Sequence, residues 1–302
     1  MPSPAPSHSP QQALNGILLM LGALVLLPTM DAVAKHLTQR LPVAEVIWAR
    51  YFFHMAVLVP VVLWRHRPAA LIAAPVLPQL LRGALLLAST ALFVTSLSLL
   101  PLADASALFF TQPLMVAAAA PWLLGERVGP ARWAAVGLGF IGALVIIRPG
   151  FSAFHWAGLI ALGATAVNSG YLILTRRLAG SVPPLVALAY VAALGALVTS
   201  ALMPALWVTP GAGDAGLMVL IGLLAAGGHF LVIRALDLAP ASLLAPCSYF
   251  GLVTASSLGY AVFGQLPDRW TWIGITLVVT AGLAVSLGEH WRKRIAARPR
   301  TA

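Results

Sequence analysis

Apolar residues run through this chain in blocks of about twenty, separated by short clusters of proline, glycine and arginine. Blocks of that length match helices crossing about 30 Å of hydrocarbon, and ten are predicted. They fall at roughly 14–36, 43–64, 78–99, 102–124, 130–147, 155–176, 184–206, 215–235, 241–263 and 270–288. The breaks carry turn chemistry: Pro42, Arg65 to Pro68, Pro101, Gly129-Pro130, Pro149-Gly150, Pro183-Pro184, Pro210 to Gly213, Pro240 and Pro267-Asp268. A membrane β-barrel would instead show short alternating segments.

Composition turns that pattern into a class. Hydrophobic residues make up 60% of the 302 and charged residues 9%, against about 25% charged in soluble domains. Mean hydropathy is +0.93. The expected fold is all-α and integral to the membrane. The net charge of +10 would suggest nucleic acid in a soluble protein. Here the bases lie between apolar blocks and at the C-terminus, where they set topology. With the N-terminus cytoplasmic, the inner side collects Arg65, Arg67, Arg82, Arg127, Arg132, Arg176, Arg177, Arg234 and the basic stretch 292–300. The outer side and its flank keep only Lys35, Arg40, Arg50, Arg148 and Arg269, so both termini are expected in the cytoplasm. Residues 1–13 read as a disordered Pro/Ser-rich tail without the basic start of a signal peptide. Residues 290–302 read as a basic cytoplasmic tail near anionic lipid. The single cysteine, Cys247, permits no internal disulfide.

The chain also repeats itself. Gly22-Ala23, Lys35, Leu37 and Pro42 match Gly163-Ala164, Arg176, Leu178 and Pro183 at one constant offset. Gly83, Leu97 and Pro101 match Gly222, Leu236 and Pro240 at nearly the same offset. The halves are expected at 14–150 and 151–289 with five helices each. Five is odd, so the second half enters the membrane upside down: a 5+5 inverted repeat, the signature of alternating-access carriers.

Several of these motifs resemble a known family. The Pro101-Leu102-Ala103-Asp104-Ala105 entry, the Leu124-Gly125-Glu126-Arg127 exit, Arg148-Pro149-Gly150, Ala239-Pro240-Ala241-Ser242 and Ala245-Pro246-Cys247-Ser248-Tyr249 are similar to the EamA-like branch of the drug/metabolite transporter superfamily. Asp31 to Lys35, Arg50, Leu81-Arg82-Gly83 and Phe263 to Asp268 look most like its S-adenosylmethionine or riboflavin carriers, which usually have an acidic residue where Gln265 stands. The resemblance implies a secondary carrier in the inner membrane and a central cavity lined mainly by helices 1, 3, 4, 6, 8 and 9. Its cargo would be a small organic metabolite, taken up or, in the alternative, exported as an amino acid or drug-like compound.

Polar groups at membrane depth are expensive and tend to face the interior of a bundle. Asp31 and Lys35 stand four apart on helix 1, the spacing of an ion pair. They read either as an outer gate or zwitterion handle, or as a structural pair with Lys35 snorkelling outward. Arg50, two turns into helix 2, requires Asp31, Glu45 or Asp104 as partner. His54, one turn deeper, is either a proton relay or a packing residue. Thr111, Gln112 and Pro113 interrupt helix 4, as Pro246, Cys247, Ser248 and Tyr249 interrupt helix 9. Interrupted helices in both halves point to the transport site. Asn168, Ser169 and Tyr171 on helix 6 are polar at midmembrane, and His229 on helix 8 aligns with Thr90 on helix 3. The expected substrate contacts are thus Gln112, Tyr249, Asn168, His229, Thr90, Ser248 and Tyr171; the expected gate or coupling residues are Asp31, Lys35, His54 and Arg50.

Other features carry packing or topology. Gly137, Gly139, Gly142 and Ala143 form a small-residue face on helix 5 for close packing within the subunit or in a homodimer. Trp64, Trp122, Trp156, Trp207 and Trp291 mark span ends, and Glu126 with Arg127 makes a cytoplasmic pair. No phosphate loop, metal-spaced cluster or catalytic acid pair is visible, so no enzyme, cofactor, metal or nucleic-acid partner is expected. The rival class, a membrane scaffold or lipid-handling enzyme, would gather its polar groups at one membrane face.

Overall fold

The computed structural model describes residues 9–65, 75–123, 125, 128–148 and 156–296, and side chains to residue 286 apart from Ser242. Among these residues all regular structure is helical. Residues 1–8, Arg67, Pro68, the Glu126–Arg127 pair, Pro149-Gly150, and the side chains of Trp291 and the basic tail lie outside the description.

The helices are α1 (Pro10–Leu37), α2 (Val43–Arg65), α3 (Val76–Leu99), α4a (Leu102–Phe109), α4b (Gln112–Leu123), α5 (Pro130–Ile147), α6 (Ala157–Arg177), α7 (Pro184–Leu206), α8 (Ala212–Leu238), α9a (Ala241–Leu244), α9b (Phe250–Phe263) and α10 (Arg269–Ala296). Nine segments among the described residues, with α4a–α4b counted as one, are long and apolar enough to cross a membrane. The tenth apolar block, 241–263, is interrupted by a tight 3-10 turn over Pro246–Tyr249. Helix α1 starts four residues before the boundary expected at 14. Ser9 accepts from the Gln12 amide (3.2 Å) while the Gln12 side chain accepts from the Ser9 amide (2.9 Å), and Pro10 fits the first helical position.

Both interruptions are provided with hydrogen bonds. Pro113 cannot donate to the Phe109 carbonyl, and α4 breaks just before it, at Phe110 and Thr111. The Leu108 carbonyl accepts from the Thr111 amide (3.1 Å), the Thr111 hydroxyl (2.6 Å) and Thr165 of α6 (3.4 Å). In α9 the Ala245 carbonyl accepts from the Ser248 amide at 3.2 Å, an i to i+3 bond.

Four pairs of helices make the most extensive contacts: α1 with α8, α3 with α6, α2 with α7, and α5 with α10. Tight approaches depend on glycine. Gly142 of α5 and Gly274 of α10 meet backbone to backbone, since a Cβ on either would come within 3 Å of the other's carbonyl oxygen. Gly139 is filled by Leu114 and borders Ala281, so Gly139 and Gly142 pack inside the subunit, whereas a Cβ on Gly137 meets nothing within 4 Å. Gly222 of α8 takes Phe53 of α2 directly against its backbone. Trp64 (88% exposed) and Trp122 (75%) project outward at helix ends, as interfacial anchors do.

A Cβ at Gly222 would sit 2.2 Å from the Phe53 Cβ. Gly222→Val should therefore cost about 1–3 kcal/mol by overpacking. Gly137→Val, with nothing within 4 Å of its Cβ, should stay within about 0.5 kcal/mol. Thermal unfolding in detergent compares the two.

Candidate functional site

The two interruptions face each other. Phe110, at the break in α4, packs against Tyr249, at the break in α9, with ring centroids 5.7 Å apart and planes tilted by 34°. The Tyr249 hydroxyl lies against the backbone of Gly282 in α10, where a Cβ would come within 1.6 Å of it. That hydroxyl is buried without a hydrogen-bond partner. Gln112 Nε2 at the start of α4b and Asn168 Oδ1 on α6 are likewise buried with no hydrogen-bond partner. Ser169, beside Asn168, bonds the Gln112 carbonyl (3.5 Å) and the Thr165 carbonyl (2.8 Å), which ties α6 to the break. Unsatisfied buried polar groups cost about 1–3 kcal/mol each. Tyr249 and Gln112 bring two such groups to the pair of helix breaks. Ser248 is half-buried in the same 3-10 turn.

A second cluster lies between α2 and α8. His54 and His229 stack with centroids 5.6 Å apart and planes at 24°. His229 Nδ1 contacts the Ala225 carbonyl at 2.7 Å, so Nδ1 carries the proton and Nε2 is left to accept. His54 Nε2 is buried without a partner. Arg50 lies in Coulombic range of Asp31, Tyr51, His54 and His229. Helix 2 thus contributes to the interior, although the family resemblance implied lining mainly by other helices. Thr90, expected at the substrate, is 4% exposed and shares a 3.0 Å hydrogen bond with the Tyr51 hydroxyl. Its alignment with His229 corresponds to a common neighbour, α2. Tyr171 places its ring under the Arg82 guanidinium, 5.9 Å from the centroid, and Arg82 donates to the Ala187 carbonyl of α7.

Two expected ion pairs are not formed. Lys35 turns away from Asp31 and donates to the Leu97 (2.8 Å) and Leu100 (2.5 Å) carbonyls at the end of α3, with Phe263 5.5 Å away. The C-terminal carbonyls of a helix lack intrahelical donors and carry its negative pole, so they offer the ammonium well-placed acceptors. At 5% exposure Lys35 does not snorkel. Arg50 makes no ion pair within 4 Å among the described residues. Glu45, one of its expected partners, accepts instead from the Val208 amide at 3.1 Å. Asp31 and Arg50 thus stand on α1 and α2 without an ion pair between them.

Sequence reading singled out Tyr249, Gln112 and Asn168 but missed Phe110 and Gly282, which hold Tyr249 in place. Phe110 had one available signal: it follows Pro101 by the same number of residues as Tyr249 follows Pro240. Also missed was the pair of Arg148 with Asp268, which joins the end of α5 to the start of α10. Arg148 has a left-handed backbone, φ 55°, uncommon for a residue with a side chain.

A polytopic helical bundle, broken in two facing helices and lined there by unsatisfied polar groups, is the architecture of a membrane carrier. The EamA-like transporter family model matches the chain twice, over residues 14–148 and 155–287, and the chain belongs to that family. It is 28% identical over 277 residues to the S-adenosylmethionine uptake transporter of Rickettsia prowazekii, covering 91% of this chain and 94% of that one. It is 29% identical over 288 residues to the riboflavin transporter of Rhizobium johnstonii, covering 94% and 95%. The pseudopaline exporter CntI of Pseudomonas aeruginosa is 28% identical over 276 residues, covering 90% and 96%. A solved structure described as "Crystal structure of protein" shares the fold, with a TM-score of 0.64, 20% identity, and coverage of 91% and 97%. The family and these named relatives are transporters, and the nine candidate spans make this a multi-pass membrane protein.

Asp268 lies in the turn before α10. Partial desolvation alone would raise its pKa, but hydrogen bonds from Arg148 and from the Thr271 amide and hydroxyl, with the Arg148 charge, hold it below the ordinary 3.8. A depressed carboxylate stabilises the fold above its unfolded pKa and stops doing so as pH falls through its folded value. Asp268→Asn should thus lower the thermal midpoint by a constant amount between about pH 5 and 8. The difference should close below about pH 4. Midpoints of both proteins across that range make the check.

Proposed function

We propose that the chain is a secondary carrier that moves a small organic metabolite by alternating access, rocking two inverted five-helix halves about the site between the broken helices. The carrying observation is the Phe110–Tyr249 contact. The two residues occupy equivalent positions in the repeat, counted from Pro101 and Pro240, and residues related by a twofold axis touch each other only on that axis. The packing agrees: exchanging the halves turns α1 with α8 into α6 with α3, and turns α2 with α8 into α7 with α3, all of them packed pairs. The double match of the family model supports the same division.

The site suits a solute with a ring and charges. Phe110 and Tyr249 offer aromatic surface, while Gln112 and Asn168 offer hydrogen bonds with no competing protein partner. Asp31 and Arg50 suit the two ends of a zwitterion, with Arg50 a planar donor for a carboxylate. Ser248, Tyr171 and His229 stand around the solute, and His54 with His229 takes part in coupling if transport is proton-driven. S-adenosylmethionine- or riboflavin-like uptake fits this chemistry, and the similarity to a pseudopaline exporter supports the alternative of export. Arginine placement favours a cytoplasmic membrane with both termini inside. The carrier performs no covalent chemistry on its cargo.

Purified protein in liposomes should accumulate or exchange one of these metabolites. Gln112→Ala and Asn168→Ala should each lower transport kcat/KM by about tenfold, the value of one buried hydrogen bond, with the thermal midpoint nearly unchanged. No flux of any solute, ion or exchange partner would overturn the carrier assignment.

A further inference from the structure

Resting on the carrier reading, the geometry points to a gate closed at the membrane face where α1, α3, α5, α7 and α9b end, and latched there by links between the two halves. Three such links lie on that face. Arg148 pairs with Asp268 across α5 and α10. Arg40, after α1, pairs with Asp214 of α8 at 3.0 Å. Glu45 of α2, fully buried, accepts from the amide of Val208 beyond α7 at 3.1 Å. A cavity of about 190 Å3 lies in this region, with Asp104, Arg148 and Asp268 in its wall.

The broken helices report the same asymmetry. On this face α4a packs against α9b, with Leu102, Ala105, Leu252 and Ala255 all in one buried cluster. The twofold mate of that contact would set α4b against α9a on the opposite face. There α4b packs on α5, α6 and α10, whereas α9a packs on α1, α8 and α10. The most extensive contacts follow the half-exchange, but this one has no packed mate, and neither do the smaller contacts of α3 with α1, α3 with α2 and α4b with α5, so the two halves are not arranged alike. Two states related by exchanging those contacts are what alternating access requires. The chain is held in one of them, with the Phe110–Tyr249 pair as the floor of the seal.

The test uses full-length protein in lipid vesicles with Cys247→Ser and two pairs of spin labels. One pair, at Leu99→Cys and Leu266→Cys, spans the latched face; the other, at Leu123→Cys and Leu243→Cys, spans the opposite face. All four positions are exposed hydrophobic residues. The double variant Asp214→Asn, Asp268→Asn removes both ionic links with isosteric amides. It should add a longer distance for the first label pair and, in the same sample, a shorter one for the second. Asp237→Asn breaks the local Arg234–Asp237 pair and should move neither. Unchanged distances in the double variant overturn the gate. So does lengthening without the reciprocal shortening, which would be fraying of one face. Solute flux in the same vesicles separates the two claims: reciprocal distances without flux reject the carrier reading alone, and flux with unchanged distances rejects the gate alone.

Discussion

Hydrocarbon supplies no hydrogen-bond partners, so each backbone donor and acceptor at membrane depth must be satisfied inside the protein. This constraint explains why the chain is helical and why the breaks in its helices carry hydrogen bonds of their own. The Leu108 carbonyl, released by the break in α4, is met by Thr111 from its own chain and Thr165 from α6. The Leu97 and Leu100 carbonyls at the end of α3 are met by a buried ammonium from α1. Lys35 is thereby tied to α3, and Asp31 is left without the partner that spacing suggested.

What the backbone leaves unsatisfied is equally informative. Gln112, Asn168 and Tyr249 are placed by elements that each solve another problem: a proline break, a helix stitched to that break by Ser169, and a 3-10 turn seated on Gly282. Their polar atoms remain unpartnered around the contact of two helix breaks. Close packing of α5 with α10 and of α2 with α8, both glycine-dependent, keeps these elements rigid. Packed helix interfaces of this kind exchange between discrete arrangements rather than deform gradually.

Much of this was legible beforehand. Long apolar blocks and proline punctuation marked the nine candidate spans, because transfer into hydrocarbon is a property of composition summed over about twenty residues. The proline breaks pointed to Gln112 and Tyr249 for a similarly local reason. The partners of ionisable residues were not legible. Four-residue spacing joined Asp31 to Lys35, but helix ends elsewhere in the fold compete for the same ammonium. Arg50 was matched with acids by depth, yet Glu45 is drawn to the Val208 amide.

The sequence by itself determined the class of protein, the number of apolar segments and the positions at which two of them must break. These depend on residue type and local order along the chain. The tertiary structure alone decided that Phe110 meets Tyr249, that His54 stacks on His229, that Lys35 serves α3, and that Arg148 reaches Asp268. Each of these joins residues far apart in sequence, and a pairing energy between them exists only once packing has set their separation and excluded water from it.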